Sequence, residues 1–202
     1  PARRWAAWSL VFILTEALLG ASLVLLGHVA RNESVGRVYS LGLHLVNTFL
    51  LLASLALTAR AATRKMGKFS LVLSWPLIAL VLVAIAGAIT ALGDTLFPAH
   101  TLAEGMRDDF SSTASFLIRL RVIHPILALA AGAIIARIAI PEFKRRTPLA
   151  GWLLALFFAQ VAAGAASISL QAPLLLQLLH LLIADCLWVA LVLFTAEAAV
   201  RK

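Results

Sequence analysis

Residues 41–52 read LGLHLVNTFLLL, and the apolar run they open continues through Leu57. Two later stretches repeat the pattern, RVIHPILALAAG at 121–132 and QLLHLLIADCLW at 177–188. In each, one histidine (His44, His124 or His180) stands a few residues inside the start of a long apolar segment. A polar ring is costly in hydrocarbon unless it bonds to a neighbouring helix or to a ligand. The three stretches therefore predict membrane-spanning helices and mark the imidazoles as the residues to follow.

Composition points the same way. The 202 residues are 62% hydrophobic and 13% charged, with a mean hydropathy of +1.00, against roughly 45–50% apolar residues in soluble domains. The net charge of +8 would suit nucleic acid only if it formed a solvated basic face. Here Lys and Arg occur in short clusters between apolar runs, so they report topology and exclude a nucleic-acid partner. The single cysteine, Cys186, lies within an apolar segment, which allows no disulfide within the chain and predicts a small core residue.

A hydrocarbon core about 30 Å thick takes roughly 20 helical residues to cross. Six segments qualify, near 5–27, 39–60, 70–93, 115–138, 148–169 and 174–198. The predicted fold is an all-α integral membrane protein, six helices arranged as three up-down hairpins. Arg3, Arg4, Arg60, Arg64, Lys65, Lys68, Arg137, Lys144, Arg145, Arg146, Arg201 and Lys202 all fall on one side of this arrangement. By the positive-inside rule that side is cytoplasmic and holds both ends of the chain, in a membrane of the bacterial cytoplasmic (inner) type. The opposite loops carry Glu33, Asp94, Glu104, Asp108 and Asp109. The first span is no signal peptide, since its apolar run exceeds an h-region and contains Glu16.

This topology puts His44, His124 and His180 on descending arms, five to nine residues below the outer surface, or roughly 8–14 Å down at 1.5 Å per residue. The ascending arms repeat as well, each carrying a Gly-Ala step: Gly20-Ala21, Gly87-Ala88 and Gly164-Ala165. Small residues there permit close backbone approach or make room for a flat ligand. A lone membrane histidine is more often a bond between helices than an iron ligand, but three at one depth on equivalent arms favour ligation of haem iron. Glu16 and Gln160 each stand four residues before the Gly of their step; for Glu16 a packing hydrogen bond is favoured over a proton-handling role. Asn47 and Thr48 are expected to bridge helices, and Pro76 and Pro125 to lie near span beginnings, where a missing donor costs least. His28 and His100 fall in or beside the external loops and read as solvated.

The stretch 16–59, EALLGASLVLLGHVARNESVGRVYSLGLHLVNTFLLLASLALTA, resembles the third and fourth spans of the haem A synthase family. GAITALGDTLFPA at 87–99 with FLIRLRVIHPILA at 116–128 resembles the fifth and sixth, and AQVAAGAASISLQAPLLLQLLHLLIADCLWVAL at 159–191 the last two. HLVNTFLLL and GDTLFP are the most specific of these motifs. Members of that family have eight spans in two four-helix halves, each half with a pair of histidines. The resemblance implies that this chain starts at the third span, without the first hairpin, its histidine and an external-loop carboxylate. On that basis residues 1–68 form the remainder of an N-terminal bundle and 69–202 a complete C-terminal four-helix haem-binding bundle.

The resemblance further implies that His124 and His180 are the axial pair of a haem b, and that His44 is one wall of a second site for haem O as substrate and haem A as product. Two neutral imidazoles saturate iron axially, which suits electron transfer. Haem propionates at the outer surface would meet Arg119 and Arg121, five and three residues before His124, by charge-assisted hydrogen bonds. Both arginines can equally be interfacial snorkelling cations. Arg37, seven residues before His44, would serve the second site in the same way. The implied function is a membrane oxidoreductase that oxidises the methyl group of haem O to the formyl group of haem A for cytochrome c oxidase biogenesis. The alternative is a non-catalytic haem b or structural subunit of a larger membrane complex with the same fold. Partners implied are haem, membrane lipid, an electron donor the sequence does not identify, and either a second copy or a larger complex.

Overall fold

Backbone amides in an apolar run have no water to pair with in a bilayer and must close on carbonyls of their own segment, so helices are expected throughout. The computed structural model describes residues 1–29, 31–64 and 71–199, and every regular element among them is a helix. The elements are α1 (Ala2–Leu25), α2 (Val35–Thr63), α3 (Leu71–Leu96), α4 (Leu102–Asp109), α5 (Phe116–Leu120), α6 (Ile123–Lys144), α7 (Pro148–Ser169) and α8 (Leu174–Ala198). Six stretches are long and apolar enough to span a membrane: α1, α2, α3, the run Phe116–Lys144 through α5 and α6, α7 and α8. They are the six expected spans. The expected boundary between residues 68 and 69 lies outside the described residues, as do Lys65, Lys68, Arg201 and Lys202.

Helix ends follow local chemistry. Gly27, at φ +67°, closes α1 with its amide on the Val24 carbonyl (3.1 Å) and that of His28 on Leu23 (2.8 Å), a Schellman turn. The same two-bond pattern ends α6 at Arg146 and α7 at Gln171. Ser34 caps α2, its hydroxyl accepting from the Arg37 amide, and Pro148 opens α7 in the first turn, where no donor is needed.

Four details differ from expectation. Helix α4 interrupts the loop between α3 and α5; Thr101 caps it by accepting from the Glu104 amide at 3.1 Å, while Glu104 accepts from the His100 amide at 2.9 Å. The fourth span restarts at Ile123, because Pro125 has no amide to offer the Arg121 carbonyl four residues back. Pro76 does lie near the start of α3, as its sixth residue, but past the first turn, so its missing donor leaves one carbonyl of that helix unpaired by it. Cys186 is exposed instead of in the core, on the face of α8 that Leu182 also lines.

The chain forms two compact units, Pro1–Val81 with Trp188–Lys202, and Leu82–Leu187. In the first, α1 packs along α2. Trp188 stacks on Phe49 with ring centres 4.7 Å apart and donates Nε1–H to the Phe49 carbonyl at 2.7 Å. Arg60 reaches Glu197 at 3.5 Å. In the second unit α6 packs on α7, and Gly132 makes the approach possible: a Cβ there would fall 2.2 Å from the Phe157 ring. Outward faces carry large apolar side chains such as Leu14, Leu25, Leu129 and Leu175. Lipid is the solvent that accepts such a surface without penalty.

Candidate functional site

Each of the three histidines sits against a glycine of the preceding long helix. Gly20 faces His44, Gly87 faces His124 and Gly164 faces His180. A Cβ added at these glycines would lie 3.8, 2.9 and 3.2 Å, respectively, from the imidazole Cε1. The Gly-Ala steps thus make room for the imidazoles themselves. At His124 the fit is so close that no side chain could replace the hydrogen.

The residue four before each glycine, one helical turn away on the same face, supplies a polar partner. At the first seat Glu16 Oε2 lies 3.6 Å from His44 Nδ1. At the second the Val83 carbonyl lies 3.0 Å from His124 Nδ1. At the third Gln160 Nε2 lies 3.0 Å from His180 Nε2. Glu16, Val83 and Gln160 are therefore structural equivalents carrying three chemistries: a carboxyl, a backbone carbonyl and an amide. Sequence reasoning missed Val83, because its side chain is apolar and the working atom belongs to the backbone. The spacing from Gly87, equal to that of Glu16 and Gln160 from their glycines, was the available signal.

These partners dictate tautomers. A carbonyl can only accept, so His124 carries its proton on Nδ1 and presents the Nε2 lone pair. The Gln160 amide donates to His180 Nε2, and the His180 proton then sits on Nδ1, which is buried with no hydrogen-bond partner. His124 and His180 face each other with ring centres 6.3 Å apart and planes at 81°. Among the described residues no group of three or more His, Cys, Asp or Glu is placed to hold a metal ion. The donor set is thus an imidazole pair, His124 and His180, which would fit a metal group that brings its remaining ligands with it, as a haem does.

His44 belongs to the other compact unit, in a polar cluster between α1 and α2. Asn47 Nδ2 donates to Glu16 Oε2 at 2.6 Å and to the Phe12 carbonyl at 2.9 Å, and Asn47 Oδ1 accepts from Thr15 at 2.6 Å. The Thr48 hydroxyl reaches both Glu16 Oε1 and the His44 carbonyl. Asn47 and Thr48 bridge helices as expected, and what they grip is Glu16.

The three arginines differ in setting. Arg121 is forked between two carboxylates, Nη1 to Asp94 at 2.7 Å and Nε to Asp109 at 2.9 Å, with its side chain 12% exposed. Arg119 is exposed on α5. Arg37 donates Nη1–H to the Asn32 carbonyl at 2.9 Å, bracing the loop before α2. His28, expected in solvent, is half-buried with Nδ1 2.7 Å from the Ser40 hydroxyl, whereas His100 is exposed.

Comparison with known proteins places these features among relatives. The model of the COX15-CtaA family, described as cytochrome oxidase assembly protein, matches residues 1–192. Two proteins from different strains of Thermus thermophilus are each 40% identical to the chain over 216 aligned positions; both are named protoheme IX farnesyltransferase. The alignments cover 100% of this chain and 35% of each relative, so the chain spans about a third of their length. No solved structure matches the chain significantly. Its helices are those of a multi-pass membrane protein, and these relatives are bacterial.

Proposed function

The chain belongs to the COX15-CtaA family of cytochrome oxidase assembly proteins, and from that premise we propose that it acts as a haem-binding membrane oxidoreductase of the haem A synthase type, oxidising the methyl group of haem O to the formyl group of haem A. The observation that carries this reading is the His124/His180 pair, 6.3 Å between ring centres, with the His124 tautomer set by the Val83 carbonyl. In this reading residues 69–202 are the haem-binding bundle, 1–68 belong to a second bundle, and the chain lies in a bacterial cytoplasmic membrane with both its ends on the cytoplasmic side.

His124 and His180 would hold a haem b, and a bis-imidazole haem supplies one-electron transfer. The chain's own residues prepare that site. Gly87 and Gly164 let the rings seat against α3 and α7, Val83 orients His124, and Gln160, now bonded to Nε2 of His180, would have to release it to the iron. Arg119 is the first partner for the propionates, joined by Arg121, which Asp94 and Asp109 hold at the start of the ligand-bearing helix. His44, with Arg37 seven residues before it, would serve the substrate haem.

The name of the Thermus relatives suggests a second reading, transfer of a farnesyl group to haem. That name covers whole proteins of which this chain matches about a third. Transfer from a diphosphate calls for carboxylates that bind a divalent cation. Asp94 and Asp109 are instead bonded to Arg121, and Glu16 to Asn47 and Thr48. The full-length gene product should be purified from the membrane and its reduced-minus-oxidised spectrum recorded. It should then be supplied separately with haem O and with haem b plus farnesyl diphosphate. A reducible low-spin b-type spectrum with formation of haem A supports the proposal. The spectrum without haem A favours a non-catalytic haem subunit, haem O as product favours farnesyl transfer, and no haem signal refutes the haem-binding reading.

A further inference from the structure

We propose that Glu16 is the positioning residue of His44, and that it makes the imidazole of the N-terminal site a stronger axial donor than either member of the His124/His180 pair. This rests on the reading of His44 as a haem ligand. The three seats share one geometry and differ in what stands four residues before the glycine. Only at the first is it a carboxyl group, with Oε2 3.6 Å from His44 Nδ1. That separation exceeds a hydrogen bond, and His44 Nδ1 is buried with no hydrogen-bond partner. A buried donor left unpaired is costly, and the Glu16 carboxyl group is the acceptor within reach.

Two features make closure of that gap natural. Glu16 is held from one side by Asn47 Nδ2 at 2.6 Å and by the Thr48 hydroxyl, while Asn47 is itself locked by Phe12 and Thr15. The carboxyl group therefore has a fixed direction, towards the ring. The His44 seat is also the loosest of the three, with 3.8 Å between a Gly20 Cβ and the imidazole against 2.9 Å at Gly87. The ring has the slack to move the roughly 0.7 Å that brings Nδ1–H onto Oε2 at an ordinary hydrogen-bond length, and hydrogen bonds at such sites commonly tighten on binding.

A carboxylate that accepts Nδ1–H fixes the tautomer with Nε2 free and raises the basicity of the ligating nitrogen. A backbone carbonyl at His124 does so less, and the Gln160 amide at His180, which donates to Nε2 itself, does not do so at all. The repeat thus assigns unequal ligand strength to its sites: neutral imidazoles where electrons pass, a carboxylate-backed imidazole where the substrate reacts. Donor strength from the axial ligand is one of the levers by which a protein sets haem iron chemistry.

The test uses the haem-loaded full-length protein with Glu16→Gln, Glu16→Asp and His44→Ala, read by resonance Raman of the ferrous iron–imidazole stretch and by redox titration of each haem. The expected result for Glu16→Gln is a lower stretching frequency and a higher midpoint potential at the His44 haem, with His124/His180 bands unchanged. Glu16→Asp, which keeps the carboxylate but withdraws it, should fall between. Unchanged stretch and potential in a Glu16→Gln protein that still holds the His44 haem overturns the proposal. So does loss of both haem signals in both Glu16 variants, which would make Glu16 a general packing residue. A His44→Ala protein with its full haem complement refutes instead the reading of His44 as a ligand.

Discussion

Gly87 and His124 fit against each other so closely that a single methyl group between them has no room, a Cβ at Gly87 falling 2.9 Å from Cε1 and 3.2 Å from Nδ1 of the ring. The missing side chain does two things at once. It lets the imidazole lie on α3, and it uncovers the Val83 carbonyl that orients the ring at 3.0 Å. Gly87→Ala should therefore displace His124 and lose its tautomer lock. Overpacking of this kind costs about 1–3 kcal/mol, so haem affinity at the His124/His180 pair should fall roughly fivefold to 150-fold. Gly164→Ala, at 3.2 Å, should weaken it less, and Gly20→Ala, at 3.8 Å, should leave that haem untouched. Haem titration of the purified variants checks the order; equal losses at all three would rule out a seat-specific effect.

Gln160 occupies the lone pair of His180 Nε2 at 3.0 Å, the nitrogen that iron would take. Removing that competitor should help the ligand. Gln160→Leu is expected to tighten haem binding about fivefold, the equivalent of one ordinary hydrogen bond of about 1 kcal/mol. Gln160→Glu should have the opposite sign, because a carboxylate acceptor draws a proton onto Nε2. A competition assay against an apo-haemoprotein would read both, and weaker binding in the Leu variant would make Gln160 a support of the bound state.

Arg121 joins the end of α3 to the end of α4 through Asp94 and Asp109, three residues before His124. Its side chain is 12% exposed and each carboxylate 22%, so solvent screens the pair in part. Arg121→Met leaves two carboxylates without their cation, at a cost of about 2–3 kcal/mol, less than for a fully buried pair. Arg121→Lys keeps the charge but not the fork and should recover only part of it. Thermal unfolding in detergent measures both, and an Arg121→Met protein as stable as the parent would show that the network contributes nothing.

The six spans were legible because each is a run of about twenty apolar residues, a signal that tertiary packing cannot override in lipid. His44, His124 and His180 were legible for the same reason, as costly residues in a cheap background. What stayed hidden is backbone chemistry and loop structure. Val83 looks like any apolar residue, yet its carbonyl faces His124 from the position that the side chains of Glu16 and Gln160 hold at the other seats. Helix α4 carries a Thr101–Glu104 capping signature that could have revealed it, but eight residues between spans offer no hydropathy pattern. Arg121 has a motif position that suggests a ligand partner, and only coordinates show Asp94 and Asp109 converging on it.

Trp188 supplies a test that is independent of any ligand. Its ring is stacked on Phe49 and almost wholly buried, and its indole N–H is given to the Phe49 carbonyl at 2.7 Å, a bond between α8 and α2 across 139 residues of sequence. In the middle of α2 that carbonyl already serves its own helix, so the indole is the dependent partner and the carbonyl keeps one bond without it. Trp188→Phe preserves the stacking but forfeits the hydrogen bond and some ring volume, and the smaller ring leaves a gap that lipid cannot reach. The two losses together should cost about 2 kcal/mol. Because Trp188 lies in the unit that holds His44, the loss should appear in thermal unfolding while the low-spin spectrum of the other unit's pair keeps its shape below the transition. A variant with unaltered stability would mean that the helices are held by the shape of their apolar surfaces alone, and that the indole bond only accompanies the packing.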